Sequence, residues 1–80
     1  MQLDIVTPEE QLYNGEVESV QLPGIDGSFQ ILNNHAALVA ALGEGNINIK
    51  AKEDQSYAIE GGFVEVSDNK VNVLIEASPE

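Results

Sequence analysis

The sequence predicts an all-β fold, a sandwich or a barrel of short strands. Two observations carry this. Apolar residues alternate with polar ones in segment after segment, the period of a half-buried strand. Turn-forming residues interrupt these segments roughly every 8–12 residues, the spacing of small all-β domains.

Taken in order, Leu3 and Ile5 flank Asp4, Val20 and Leu22 flank Gln21, and Phe29 and Ile31 flank Gln30. Ile47 and Ile49 flank Asn48, and Tyr57 and Ile59 flank Ala58. Val64 and Val66 flank Glu65, and Val71 and Val73 flank Asn72. Between them lie Thr7-Pro8, Asn14-Gly15, Pro23-Gly24, Asp26-Gly27, Asn33-Asn34, Gly43-Glu44-Gly45, Gly61-Gly62 and Asp68-Asn69, all read as turns. Val17 and Val20 differ in parity, so a bulge or a strand start lies between them. Ala36 to Leu42 is uniformly apolar and reads as a short helix or as a buried strand; the extended form is favoured. The last residues, Ala77 to Glu80, read as frayed.

Eighty residues fill one domain, 1–80, with one core. Cysteine is absent, which excludes disulfides and thiolate metal sites. Three lysines against fourteen acidic residues give a formal net charge of −11. So few cations cannot track phosphates, which excludes direct nucleic-acid binding, and the charge disfavours unaided docking on an anionic bilayer. No apolar run approaches the roughly 20 residues of a membrane span. The start, MQLDIVTPEE, lacks the basic region of a secretory signal, so the chain reads as soluble and intracellular. A chain this acidic is expected to meet basic partners or none.

The residues that could carry chemistry are few. His35 is the single histidine, and zinc would have to be completed by carboxylates. The bland reading of His35 is a half-buried side chain that fixes a turn; the functional one is an exposed partner contact. Asp26-Gly27-Ser28 lacks the alternating ligands of an EF-hand and reads as a tight turn. No nucleophile elbow and no phosphate-binding glycine loop occurs. No enzyme is expected, and no cofactor. A stand-alone module is the competing class, with a calcium or carbohydrate site on loops bearing Asp26, Asp54 and Asp68.

Three blocks then point to a family. They are Asp4-Ile5-Val6-Thr7-Pro8-Glu9 with Leu12 to Val17; Val20-Gln21-Leu22-Pro23-Gly24, Asp26-Gly27, Ile31-Leu32, His35-Ala36 and Leu38; and Gly61-Gly62-Phe63-Val64-Glu65-Val66 with Asn69 to Leu74. In order and spacing they resemble the N-terminal domain of the epsilon subunit of F-type ATP synthase. The resemblance implies a ten-stranded β-sandwich of two packed sheets and a non-catalytic place in the central stalk. It further implies binding to the gamma subunit and the membrane c-ring on the cytoplasmic face of an energy-transducing membrane, where the domain couples ion flow to ATP synthesis. Asp26, Gly27 and Ser28 fall at the c-ring end by this likeness, and His35, Ala36 and Leu38 at the gamma interface. Gly61-Gly62-Phe63 falls to the sandwich itself, its glycines serving close approach or positive φ. The family's C-terminal helical hairpin has no counterpart before Glu80, so no nucleotide is expected to bind. Ser28 stands where relatives carry an acidic residue, with Asp26 as the substitute, and Asn34 stands where they carry glycine.

Overall fold

The computed structural model describes residues 1–76; the expected fraying of Ala77 to Glu80 lies outside them. Nine strands follow one another: β1 (Gln2–Val6), β2 (Gln11–Glu16), β3 (Ser19–Gly24), β4 (Gly27–Leu32), β5 (Leu38–Leu42), β6 (Gly45–Lys50), β7 (Gln55–Ile59), β8 (Gly62–Ser67) and β9 (Lys70–Ile75). The all-β expectation holds, with nine strands described where ten were expected. The hydrogen-bonding order β2-β1-β9-β8-β5-β3-β6-β7, with β4 on the far side of β3, is one continuous sheet that curls into two layers. One layer is β2-β1-β9-β8-β5 and the other β4-β3-β6-β7. They join where Gly24 of β3 meets Leu42 of β5.

Pro23 sits at that junction. Its ring removes an N–H, so it cannot donate to a ladder. The pairing of β3 with β6 runs only from Ser19 to Gln21. Past it, the Pro23 carbonyl accepts from Gly43 N (2.8 Å) and Ile25 N donates to Ala41 O (3.2 Å), so β3 leaves one layer for the other. On the opposite side the layers close through side chains. The Tyr57 hydroxyl donates to Leu12 O (3.2 Å), and the Tyr13 and Tyr57 rings meet edge to face with centroids 6.5 Å apart.

The alternation predicted from sequence is the inward face. Leu3, Ile5, Val20, Leu22, Ile31, Ile47, Val64 and Val71 are essentially inaccessible and form one cluster with their neighbours from both layers. Each such side chain stabilises the fold by roughly 1.5–3 kcal/mol relative to exposure. Val17 is buried in the connection just before β3, so the change of parity is a strand start.

Three sequence readings are corrected. Asn14-Gly15 is not a turn: both lie inside β2, paired with Asp4 and Leu3. Asn14 and Gln11 both donate to Asp4 Oδ1 across the strand pair, which replaces the turn bonding an asparagine otherwise seeks. The true connection is Thr7 to Glu10, where Thr7 Oγ1 accepts from the backbone N of Glu9 (3.2 Å) and Glu10 (3.0 Å). Pro23-Gly24 likewise belongs to β3. Finally, the Ala36 to Leu42 segment is extended over Leu38 to Leu42, as favoured, but only partly buried: Leu42 lies in the core while Val39 is 73% exposed, because the outer face of its layer has no cover among the described residues.

Candidate docking surface

The residues expected to contact partners lie at opposite ends of β4. This six-residue strand spans about 17–20 Å. At its start, Ile25 and Asp26 form the two-residue tip joining β3 to β4, and Gly27 follows with φ 123°, a value side chains rarely adopt. Asp26, Gly27 and Ser28 are all exposed there. At the other end, Asn33-Asn34 turn the chain out of β4 and His35, Ala36 and Leu38 lead into β5. The structure therefore brings His35, Ala36 and Leu38 together and keeps them apart from Asp26. Ser28 and His35 stand at the two ends of the strand.

His35 is exposed, not half-buried as in the bland reading. Its Nδ1 donates to Ala36 O at 2.7 Å, since a carbonyl can only accept, and Nε2 is left to face outward. The loop is fixed by Asn69 instead. Asn34, with φ 63°, occupies the left-handed region, and its backbone N donates to Asn69 Oδ1 at 2.8 Å. Asp68 and Asn69 themselves have φ 53° and 60°, the signature of a type I′ hairpin turn between β8 and β9. Asn69 thus does two jobs. Asn69→Gly keeps the turn and loses the bridge to Asn34; Asn69→Ala loses both. Expected costs are about 1 and about 2 kcal/mol, read from urea unfolding.

Charge is sorted along the same axis. Lys50, Lys52 and Lys70, every lysine of the chain, lie at the His35 end. Asp26, Glu9, Glu10, Glu44, Glu60 and Glu76 lie at the Asp26 end with no lysine among them. The loop aspartates proposed as a calcium site are divided: Asp54 and Asp68 stand at the lysine end, Asp26 at the acidic end. Among the described residues no cluster of metal-ligating side chains forms, and Ser19 is the one buried polar side chain.

Sequence reasoning missed the main surface feature. Register aligns the outward side chains of the β1-β9-β8-β5 layer into rows. One row is Val6, Leu74, Phe63 and Ala41. The next is Asp4, Asn72, Glu65 and Val39, and the third Gln2, Lys70 and Ser67. The first row is apolar and lies toward the acidic end. Phe63 is 59% and Leu74 49% exposed, and Val39 adjoins them. These side chains, with Asp4, Val6 and Glu65, line a shallow depression of about 390 Å³. The outer face of the second layer contrasts: there Gln30, Gln21, Asn48 and Ser56 form a polar row. The signal was present in the sequence as adjacent apolar pairs, Phe63-Val64 and Val73-Leu74, inside strands that otherwise alternate. Clustered exposed apolar side chains mark interaction surfaces. The arrangement offers a contact area.

Comparison with known proteins agrees. Residues 1–78 match the family described as the ATP synthase delta/epsilon chain, beta-sandwich domain. An ATP synthase epsilon chain of Chlorobium limicola is 51% identical over 76 residues, covering 92% of this chain and 86% of the relative. One from Leptospira borgpetersenii is 46% identical over 77 residues, 95% of this chain but only 61% of the longer relative. The fold recurs in a chain of the Tetrahymena thermophila mitochondrial ATP synthase central stalk and c-ring structure, with a TM-score of 0.84 at 19% identity over 95% of this chain and 63% of that one. The chain belongs to the delta/epsilon family of ATP synthase, and its two-layer fold is that family's β-sandwich domain.

Proposed function

We propose that this chain is the non-catalytic central-stalk subunit of an F-type ATP synthase, linking the gamma subunit to the membrane c-ring so that ion flow is coupled to ATP synthesis. Asp26, Gly27 and Ser28 face the ring, at the acidic end. Basic residues favour the cytoplasmic loops of membrane proteins, and an acidic tip is complementary to such loops while being repelled by anionic lipid. Gamma meets His35, Ala36 and Leu38 and continues along β5 onto Val39, Phe63 and Leu74. The complex holds the domain peripherally at the cytoplasmic face of the membrane. The observation that carries this reading is the exposed apolar row on a chain otherwise dominated by surface charge. Covering Val39, Phe63 and Leu74 contributes about 1–2 kcal/mol each, enough for a specific contact.

The test is co-purification with the cognate gamma subunit. The expected result is a stable complex on size exclusion at micromolar concentration, and ATP synthesis in vesicles that depends on adding the chain to a complex depleted of its epsilon subunit. No complex with gamma at that concentration ends the reading.

A further inference from the structure

The outer edge of β4 is an unguarded strand edge. In the ladder between β3 and β5, Pro23 and Ile25 direct their backbone groups toward β5. Alternation along an antiparallel strand then sends the groups of Val20, Leu22 and Gly24 toward β4, to Ile31, Phe29 and Gly27. The N–H and C=O groups of Ser28, Gln30 and Leu32 therefore point away from β3, and among the described residues they have no backbone partner. β2 and β7, the two ends of the strand order, meet each other through Tyr57, Leu12 and Tyr13. β2 carries a register shift opposite Ile5 and Val6 and ends in Glu16, and its Leu12 carbonyl is taken by Tyr57 of β7. β5 pairs with β8 throughout and with β3 at its end. β4, Gly-Ser-Phe-Gln-Ile-Leu, has no proline, no charge and no bulge, the devices by which natural edges avoid recruiting another strand.

We propose that β4 is a strand-addition site, filled by an extended segment of the gamma subunit that carries basic side chains. This deepens the reading above, and rests on it for the partner: the edge begins at Ser28 of the proposed ring contact and ends three residues before His35 of the proposed gamma contact. The backbone groups select an extended segment and Leu32, 55% exposed, gives it an apolar anchor. The net charge of −11 and Asp26 beside the edge select a basic segment and set a second copy of this chain against itself.

Amide hydrogen exchange of the whole chain, alone and with its cognate gamma subunit, decides it. The amides of Ser28, Gln30 and Leu32 exchange freely in the lone chain and slow by at least about 10-fold in the complex, while those of Phe29 and Ile31, already bonded to β3, change far less. Gln30→Pro removes one outward N–H and leaves the β3 ladder intact, so it weakens gamma binding about 10-fold or more by calorimetry; Gln30→Thr does not. Where Gln30→Pro fails to fold, the exchange data on the parent chain still decide. Gamma binding that leaves the three amides fast overturns the strand-addition site and spares the proposed function. No gamma binding overturns both. Protection that grows with chain concentration in the absence of gamma gives the edge to a second copy and overturns the proposal.

Discussion

Gly62→Ala is expected to lower the melting temperature by more than about 12 °C, measured by circular dichroism, whereas Gly61→Ala shifts it little. The two glycines are neighbours in sequence and opposites in surroundings. A Cβ on Gly62 would overlap the carbonyl oxygen of Leu74 and stand 2.9 Å from the Cα of Ile75, both backbone atoms of the paired strand β9. Gly62 also has φ 153°, which L side chains rarely adopt. Overpacking costs about 1–3 kcal/mol and the strained backbone a further 1–3. The whole domain is worth roughly 4–12 kcal/mol at this size. On Gly61 the nearest atom to a new Cβ is Leu42 O at 3.4 Å, which a few tenths of an ångström of relaxation accommodates. Equal shifts for both variants would refute the close approach of β8 and β9 at this point.

The second large effect concerns binding. Val39→Ser combined with Phe63→Ser is expected to weaken the gamma complex by about 100-fold, the weight of two exposed apolar anchors at about 1.4 kcal/mol each. Stability should change by less than about 1 kcal/mol, because both side chains face outward and lie outside the core. Calorimetric titration with gamma, paired with urea unfolding of the chain alone, separates the two quantities. Undiminished affinity in the double variant would remove the apolar row from the interface.

Much of the fold was readable because its information is local. A residue pair such as Val71 and Val73 around Asn72 states which face is inward without reference to any other strand, and Asp68-Asn69 states its own turn through the left-handed backbone those residues tolerate. What failed was whatever depends on a neighbour. Asn14-Gly15 has the composition of a turn, and only the opposing Asp4, bonded to Asn14, makes it strand. Val39 has the composition of a core residue, and only the lack of a covering layer makes it surface. The candidate site was less legible for the same reason. The Asp26 tip and the His35 loop were found by resemblance, whereas the row of Val6, Leu74, Phe63 and Ala41 exists only once four strands are in register. The sorting of lysines to one end is likewise a product of topology, since Lys50 and Lys70 are distant in the chain.

The pairing of β1 with β9 has a consequence for how the chain is made. Leu3 lies beside Val71 in a parallel ladder, so β1 must wait for β9 to be synthesised before its second edge is bonded. Until then β1 can pair only with β2, and an isolated two-stranded ribbon is marginal in water. At roughly 5–20 residues per second, synthesis keeps the inner faces of one layer uncovered for several seconds. Folding is then slow for so small a domain, in the millisecond-to-second range of topologies dominated by distant contacts. The nascent chain is an adhesive one during that interval, and its heavy negative charge, which does nothing for the core, keeps neighbouring copies apart while it lasts.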